Sequence, residues 1–490
     1  MPLRRWSGMA LGIALMTACA VGPDYKRPKF EAAASYKEQN GWKPSEPNDV
    51  LSRGPWWKIF HDEELDRLEA QIDISNENVK AALAAYDQAR ALVNQAQAGF
   101  WPTVGVSAAR LRVASRSGGL SGVTTNGITT VGQTASTVTS YSAGATANWS
   151  LDIWGQIRRT VESNRASAQS SAAALAAAQL SAQATLATDY FELRAQDQLQ
   201  KLLDDTVVAE QLSLKITESR YRFGVAAKAD VVSAEAQLLS SQAQQINAKI
   251  QRALLEHAVA VLVGRQPADF SLSPVAMRTD VPTVPAGVPS TLLERRPDVA
   301  EAERKVAAAN AQIGVAIAAY FPSLTLSGSD QYTSNMLSHL ISLPNRAWSL
   351  GPSLAETVFE GGLRGAQVRE ARAAYEASVA NYRQTVLSGF EQVEDQIATL
   401  RILEQQAVVE EEAVRAAKEA EALTLNQYKA GTVPYSSVIT AQTTRLSSEE
   451  TALTVLSSRL QASVALIEAL GGGWSSSQLP ERFPIVAPFP

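Results

Sequence analysis

The chain of 490 residues is poor in the side chains on which most metal and catalytic sites depend. It has a single cysteine, Cys19, and 3 histidines, which lie far apart at positions 61, 257 and 339. One cysteine excludes an intrachain disulfide framework and a cysteine-based zinc cluster, and no two histidines have ligand spacing. The sequence also has no nucleophile–base pair and no phosphate-cradling glycine loop. We therefore expect no metal, no cofactor and no catalytic residue.

The chain also lacks an excess of positive charge and a long apolar run. Its formal net charge is -5, and it has no dense basic patch, so we expect no nucleic acid partner. Beyond the first residues, no stretch approaches the ~20 apolar residues of a transmembrane helix. If the chain enters a membrane, it must do so by β-strands or through an attached lipid.

The N-terminus has the features of a bacterial lipoprotein signal. Two arginines precede an apolar stretch, 6–18, that is too short to span a bilayer. The string Met16–Cys19 resembles a lipobox, although Met16 stands where leucine is common. We expect removal of residues 1–18 and lipidation of Cys19.

The sequence contains an internal duplication. A shift of 207 positions places residues 141–264 on 348–471 without a gap, and a shift of 220 aligns the parts upstream. The difference between the two shifts corresponds to a change of length in the tract 114–140, which is rich in glycine, serine and threonine and has the character of a surface loop. The predicted parts are an extended segment 19–61, a first repeat 62–264, a linker 265–297, a second repeat 298–471 and a tail 472–490.

Each repeat predicts the same order of elements. An alanine-rich helical stretch, 63–99 or 298–319, ends at an aromatic–proline pair, which stops a helix. The strand-like segments that follow lie near 102–113 and 141–153 in the first repeat, and near 322–332 and 347–359 in the second. The remaining predicted elements are long helices, 156–222 and 363–429, and return helices, 230–263 and 436–470. Each long helix would measure on the order of 100 Å.

The strand-like segments have the length and the aromatic ends of membrane strands. About 10 residues suffice for a tilted strand to cross a bilayer. The aromatic residues at the two ends are Trp101, Trp154, Phe321 and Phe359 on the helix side, and Tyr141, Tyr332 and Trp348 on the loop side. Four strands cannot close a membrane barrel, so this interpretation requires several protomers to share one. A soluble hairpin would also explain the aromatic residues, and a solvated coiled coil would also explain the helices.

Several strings resemble the TolC-like outer-membrane factors, in particular the lipoprotein branch that includes OprM and NodT. The resemblance covers essentially the whole chain after residue 18. The matching strings are Cys19–Tyr25 with Arg27-Pro28, Trp56-Trp57 with Phe60–Asp62 and Leu65, Tyr221–Gly224, Leu293–Asp298 and Tyr320–Pro322.

This resemblance implies a mixed α and β membrane protein that forms a homotrimer in outer-membrane lipid. A twelve-stranded β-barrel, with four strands from each protomer, would continue into a long periplasmic α-helical barrel girdled by an equatorial domain. The implied function is the passive exit duct of a tripartite pump for drugs or other small toxic molecules. Its partners would be a periplasmic adaptor and an inner-membrane RND-type transporter. A duct for protein secretion or metal-ion export, and a structural periplasmic coiled-coil lipoprotein, remain as alternatives.

The resemblance also implies roles for two groups of residues. The residues expected to contact the adaptor at the periplasmic tip turns are Tyr221, Gly224, Asp230, Tyr428, Gly431 and Tyr435. The candidates for a gate near the second turn are Arg415, Lys418, Glu419, Glu421, Asn426 and Tyr428. From the residues alone, both glycines suit tight reversals with positive φ. Asp230 and Ser436 or Ser437 suit the N-caps of the return helices.

Overall fold

The computed structural model describes most of the chain after Cys19. The described residues are 20–30, 36–38, 54–117, 122–125, 128–131, 134–284, 294–481 and 483, and the side chains of 115–136 are not among them. Cys19 and the expected signal peptide 1–18 lie outside the described residues.

The described ranges contain seven α-helices and six strands. The helices are α1 (Glu63–Ser75), α2 (Glu77–Ala98), α3 (Gln156–Arg222), α4 (Lys228–Leu262), α5 (Pro297–Ala318), α6 (Leu363–Ala430) and α7 (Tyr435–Ala469). The strands are β1 (Thr103–Ser117), β2 (Gly122–Thr125), β3 (Ile128–Val131), β4 (Thr134–Leu151), β5 (Ser323–Ser334) and β6 (Arg346–Ala355).

The two long helices, α3 and α6, have 67 and 68 residues, which corresponds to about 100 Å each. Neither contains a proline, so no backbone N–H is missing along their length. Each begins directly after a glycine with left-handed backbone, Gly155 (φ 83°) or Gly362 (φ 88°). No described helix combines the length and the apolar character that crossing a membrane requires.

The helical stretch expected at 63–99 is divided in two at Asn76. This residue has an extended backbone (φ -66°, ψ 122°), and its side-chain oxygen accepts from the N–H groups of Asn78 and Val79. Its amide nitrogen donates to the carbonyl of Leu262 at 2.8 Å. Asn76 therefore ends α1, caps α2 and attaches the bend to the end of α4, which corrects the expectation of one continuous helix.

Both return helices begin before the residues expected to cap them. Ala227 is the N-cap of α4 and Pro434 is the N-cap of α7, and neither donates or accepts a capping bond through its side chain. The N-caps predicted at Asp230 and at Ser436 or Ser437 are therefore wrong, because the glycine turns reverse the backbone within fewer residues. Asp230 lies in the first turn of α4, where its negative charge interacts favourably with the positive end of the helix dipole.

The main sheet is antiparallel, with the strand order β1-β4-β5-β6. β1 pairs with β4 as far as Ser117 and Thr134, so strands extend into the tract 114–140 that was expected to be a loop. The threonine and valine content of this tract suits a pleated strand. Since β1 and β6 each pair on one side, the protomer presents two sheet edges whose backbone groups have no strand partner among the described residues.

The two faces of this sheet differ in chemistry. Side chains alternate between faces, and cross-strand partners share a face. The register assigns to the apolar face Val104, Val106, Ala108, Ala143, Ala145, Ala147, Trp149, Leu324, Leu326, Leu350 and Leu354. The polar face carries Thr103, Ser107, Ser142, Thr146, Asn148, Thr325, Ser327, Ser329, Ser349 and Ser353. Most of the large apolar side chains remain exposed, so the protomer alone does not cover this face.

The largest hydrophobic core lies at the middle of the helical part. There α1 packs on the middle of α3, and the ends of α4 and α7 join α6 in the same cluster. Trp56 and Phe60, from a short 3₁₀ turn before α1, fill one side, and Leu272, Met277 and Val284 of the linker lie in the same cluster. The core thus joins both repeats to the segments between them.

Residues 20–30 form a strap along the groove between α3 and α5. The N–H of Val21 donates to the carbonyl of Trp154 at 3.1 Å, where the sheet passes into α3. Arg159 donates to the carbonyl of Val21 and to Asp24, and Asn310 of α5 donates to the carbonyl of Pro23 at 2.9 Å. The strap therefore binds α3 of the first repeat to α5 of the second.

Replacement of Gly264 tests the close approach between α4 and the end of α1. Gly264 has φ +70°, and an added Cβ would lie 2.3 Å from the carbonyl oxygen of Ser75. We expect Gly264→Ala to lower the melting temperature clearly more than Gly224→Ala. Gly224 has φ +73° with nothing within 4 Å of an added Cβ. The effect of Gly224→Ala therefore reports only the cost of placing alanine in a left-handed backbone, about 1 kcal/mol of stability. Equal effects of the two substitutions on thermal unfolding would contradict this account.

Glu69 of α1 gives a pH-dependent prediction. Its side chain is fully buried without a hydrogen-bond partner, and burial beside Asp73 and Asp66 raises its pKa to about 9. The folded chain therefore keeps a proton that the unfolded chain loses above its ordinary value of 4.5, so stability falls as pH rises through this interval. We expect Glu69→Gln to gain stability over the wild type, on the order of 1–3 kcal/mol, between about pH 5 and about pH 8.

Thermal unfolding at several pH values measures this difference. Glu63→Gln, at an exposed glutamate in the first turn of the same helix, is the matched control; it loses only an interaction with the helix dipole and should stay within about 1 kcal/mol of the wild type throughout. A difference between Glu69→Gln and wild type that stays constant with pH would show that Glu69 does not hold this proton.

Candidate functional site: the helix tips and the polar ladder above them

The first tip turn, between α3 and α4, is open to its surroundings. Gly224 has φ 73°, its N–H donates to the carbonyl of Tyr221, and the N–H of Val225 donates to the carbonyl of Arg220 at 2.8 Å. These bonds satisfy the last carbonyls of α3. Phe223 is 82% exposed and Val225 is 64% exposed, so the turn presents apolar side chains to a partner. Neither was among the residues expected to contact the adaptor.

The second tip turn, between α6 and α7, has the same backbone but a different surface. Gly431 has φ 79° and ends α6. Tyr428 and Tyr435 pack edge to face, with ring centroids 5.1 Å apart, and both are buried. Neither ring is exposed in this conformation. The adaptor contact expected of Tyr428 and Tyr435 stays a prediction, as it does for Tyr221, Gly224, Asp230 and Gly431.

The gate candidates separate into three groups. Arg415, Glu419 and Asn426 are exposed on α6, and Tyr428 is buried. Lys418 and Glu421 belong to an ion cluster, which we define as Lys418, Glu421, Arg445 and Glu449. Lys418 lies 2.8 Å from Glu449, and Arg445 lies 2.6 Å from Glu421 and also pairs with Glu449. The cluster therefore connects α6 to α7, about 15–20 Å from the tip.

A ladder of polar contacts then connects this second helix pair to α3 of the first pair. The contacts on α3 lie at Thr206, Ser213, Thr217 and Arg220, along one face of the helix. Arg445 donates to Thr206 at 3.3 Å, and Gln442 donates to Ser213 at 3.3 Å. At the lower end, Arg220 donates to the carbonyl of Lys429 at 2.7 Å. We call these four contacts the polar ladder.

An aromatic ring completes the lower end of the polar ladder. The guanidinium of Arg220 lies 4.8 Å from the ring centroid of Tyr428, a favourable cation–π distance. The hydroxyl of Tyr428 is 3.5 Å from Thr217. Tyr428 therefore takes part in contacts between the helix pairs from a buried position, and its role in a gate stays a prediction.

Burial shapes the electrostatics of this region. Glu210 of α3 is buried and accepts a hydrogen bond from Gln237 of α4 at 3.0 Å. Burial raises the pKa of Glu210 above its ordinary value, and it raises the pKa of the Tyr435 hydroxyl to about 12. A buried acid, an ion cluster and four polar contacts, two of them buried, lie between helices that could instead have been packed by apolar residues. Such an arrangement favours one geometry over its neighbours.

Sequence reasoning missed Arg445, which joins the ion cluster to the polar ladder. It also missed Arg220, Ser213 and Gln442. The sequence signal for these residues was weak, since Arg445 and Gln442 lie on the return helix α7, after the second tip turn, and the gate candidates were sought before that turn. Two arginines within long polar helices give no local indication that their partners lie more than 200 residues away.

Comparison with known proteins adds a family and several relatives. The model of the family described as "Outer membrane efflux protein" matches residues 70–265 and 288–472. A probable efflux pump outer membrane protein of Pseudomonas putida, TtgC, is 28% identical over 475 residues, which is 95% of each chain. The pyoverdine export outer membrane protein OpmQ of Pseudomonas aeruginosa is 30% identical over 438 residues, covering 88% of this chain and 90% of that protein.

Solved structures share the fold over nearly the whole length. The outer-membrane channel OprN superposes with a TM-score of 0.83 at 30% identity, covering 93% of this chain and 100% of that one. The Campylobacter jejuni CmeC outer membrane channel gives a TM-score of 0.84 at 22% identity, covering 94% and 96%. The mixed α and β architecture described above is the one these channels have.

The polar ladder can be tested by the accessibility of a thiol. In a Cys19→Ser background, we expect a cysteine replacing Ser213, which is 4% exposed, to react slowly with a maleimide. Adding Arg445→Ala removes the charged contacts above it and should raise the labelling rate about tenfold, as expected for the loss of charge-assisted bonds. Arg445→Lys should have a smaller effect, because it keeps the charge without the forked geometry.

A cysteine replacing Ser170 is the control, because it lies on the same helix with 5% exposure and far from the ladder. Acceleration at both positions would indicate general loosening of the protein. Acceleration at neither would show that Arg445 does not hold the helices together.

Proposed function

Since the chain belongs to the outer membrane efflux protein family, which locates it in the outer membrane, we propose that it is the exit channel of a tripartite efflux pump. The family is one of efflux channels and not of enzymes. The observation that carries the proposal is a four-stranded sheet, apolar on one face and free at both edges, continuous with helices of about 100 Å. The alternative, a coiled-coil lipoprotein without a pore, does not explain a sheet with an exposed apolar face and two free edges.

The free edges support a homotrimer with one shared barrel. In lipid every backbone group needs a partner within the protein, so β1 of one protomer must pair with β6 of the next. Since β1 and β6 are the two edges of an antiparallel order, they run in opposite directions and can close the sheet. Three protomers would contribute twelve strands, with the apolar face toward lipid and the polar face toward the lumen.

Two exposed apolar stripes support the same assembly in the helical part. One runs along α4, with residues spaced mainly by seven and four: Val232, Leu239, Ile246, Ile250, Leu254 and Val261. The other runs along α6, with Ile402, Val409 and Leu423. Such spacing produces a continuous seam on a helix. The α4 stripe of one protomer would pack on the α6 stripe of its neighbour.

The strap supports lipidation at Cys19 and sets its position. Val21 is hydrogen-bonded to Trp154, at the junction between the sheet and α3. A lipid on Cys19, two residues before Val21, would therefore enter the leaflet nearest the helices. The barrel anchors the assembly firmly, and the added lipid supplies a second, weaker membrane contact.

The tip turns would contact a periplasmic adaptor, which joins the channel to an inner-membrane transporter of RND type. Phe223 and Val225 offer an apolar contact, and Gly224 and Gly431 allow the close approach of a partner's backbone. The ion cluster and the polar ladder would hold the helix pairs in this conformation, and binding of the adaptor would shift their equilibrium toward an open one.

We infer that the cargo is a set of small organic molecules. Relatives carry names that refer to toluene, antibiotic and solvent efflux, at 28% identity over 475 residues each. Another relative, of Escherichia coli, is named a cation efflux protein at 26% identity over 466 residues. Export of metal ions, or of proteins, through the same duct is the alternative outcome of the test below.

Accumulation of ethidium tests the channel and its tip together. In cells that lack this protein and redundant channels, we expect the wild-type chain to lower accumulation. The double variant Phe223→Asp/Val225→Asp should leave it high, because charges replace the exposed apolar contact of the tip. The variant Ile74→Asp, at a side chain 76% exposed on α1 and distant from the tip, should restore efflux like the wild type.

Trimer content, measured on unheated gels, must be equal in all strains. If wild type does not lower accumulation of ethidium or other organic dyes, the small-molecule assignment fails, and metal and protein export should be measured in the same cells. If the tip variant restores efflux fully, the adaptor contact lies elsewhere.

A further inference from the structure

The distribution of side chains on β1 reverses between Ala108 and Ala109. Below this point the apolar face carries Val104, Val106 and Ala108. Above it the same face carries Arg110 and Arg112, while Leu111 and Val113 lie on the polar face opposite Ser140 and Val138. A strand that continued through lipid would keep its apolar side chains outward. The reversal therefore marks the upper boundary of the apolar band.

The height of the band agrees with this boundary. Within β1, Thr103 to Arg110 is seven residue steps, which at ~3.3 Å per step and ~40° tilt rise about 18 Å, and Trp101 and Pro102 extend the segment toward the ~25 Å of a barrel's apolar band. Tyr141 lies opposite Arg110 in the register, and aromatic residues are typical of this level. On the proposed orientation, Arg110 and Arg112 lie where the phosphates of outer-leaflet lipids are found.

The charges on this face are not equally compensated. On β5 and β6, Asp330 accepts two hydrogen bonds from Arg346, each at 2.8 Å, so this pair is neutral. Arg110 and Arg112 are exposed and have no carboxylate partner among the residues whose side chains are described. The guanidinium of Arg110 lies over the ring of Tyr141, 5.6 Å from its centroid, which holds it toward the apolar face.

We propose that Arg110 and Arg112 bind the phosphate groups of lipid headgroups in the outer leaflet, at a site on the outside of the barrel. The site rests on the proposed function, because the apolar face must be the lipid face. Guanidinium groups form paired hydrogen bonds with phosphate oxygens, and two of them on alternate positions of one strand are about 7 Å apart. The alternation directs both side chains to the same face, so one phosphorylated headgroup can reach both.

Binding of lipid to the purified trimer, measured by native mass spectrometry, tests this site. The probes are bis-phosphorylated lipid A, the same lipid after phosphatase treatment, and phosphatidylcholine. We expect the wild type to retain the bis-phosphorylated form preferentially. The double variant Arg110→Gln/Arg112→Gln should weaken its binding about thirtyfold, as expected for two basic groups at a membrane surface. Arg110→Lys/Arg112→Lys should restore most of the binding.

The matched control is Asp330→Asn/Arg346→Gln, which removes a pair from the same face without changing its net charge, and it should bind lipid A like the wild type. Unchanged binding in the Arg110/Arg112 variant, or equal loss in the control, would overturn the site. Displacement of lipid A by inorganic phosphate alone would identify free phosphate as the ligand, which also overturns it. Ethidium efflux is measured in the same strains. If cells with the wild-type protein show no efflux, the channel function is contradicted, whereas the lipid site is judged only by the binding of lipid A.

Discussion

The backbone groups along the free edges of β1 and β6 impose a constraint on the rest of the molecule. An N–H or C=O group in a bilayer has no water to bind, so an edge that enters lipid must be paired by protein. Four strands cannot satisfy this within one chain. On the proposed function, a neighbouring copy would cover the exposed apolar stripes on α4 and α6 and pair with the two open edges, and lipid would cover the apolar face of the sheet.

The parts of the fold marked by glycine could be predicted from the sequence. Gly155 and Gly362 precede the long helices, and Gly224 and Gly431 end them, all with positive φ. This conformation is easy for glycine and costly for other residues, so the signal is local. The bend at Asn76 could not be predicted in the same way, because its amide is fixed by the carbonyl of Leu262, 186 residues along the chain.

The candidate site shows where the duplication misleads. Tyr221 and Tyr428 occupy equivalent positions, yet Tyr221 is 45% exposed and Tyr428 is 3% exposed. The difference arises because the second turn packs against α3 under Arg220, whereas the first turn has no equivalent neighbour within the described ranges. Arg445 corresponds to Leu238 under the same shift, so the ion cluster belongs to the second repeat alone. Contacts between the repeats, such as those of Arg220 with Tyr428 and Lys429, therefore add to the contacts within each repeat in determining which residues are buried.

The strap has a consequence for the order in which the chain acquires its structure. Its partners Arg159 and Asn310 lie in different repeats, and Asn310 is 287 residues from Pro23. The groove that receives the strap does not exist until α5 has been synthesised and packed on α3. The contact of Pro23 with Asn310 must therefore wait until most of the chain has been exported, and contacts of such long range form slowly. A chain truncated before α5 would leave this end loose, which offers proteases a means of recognising incomplete protomers.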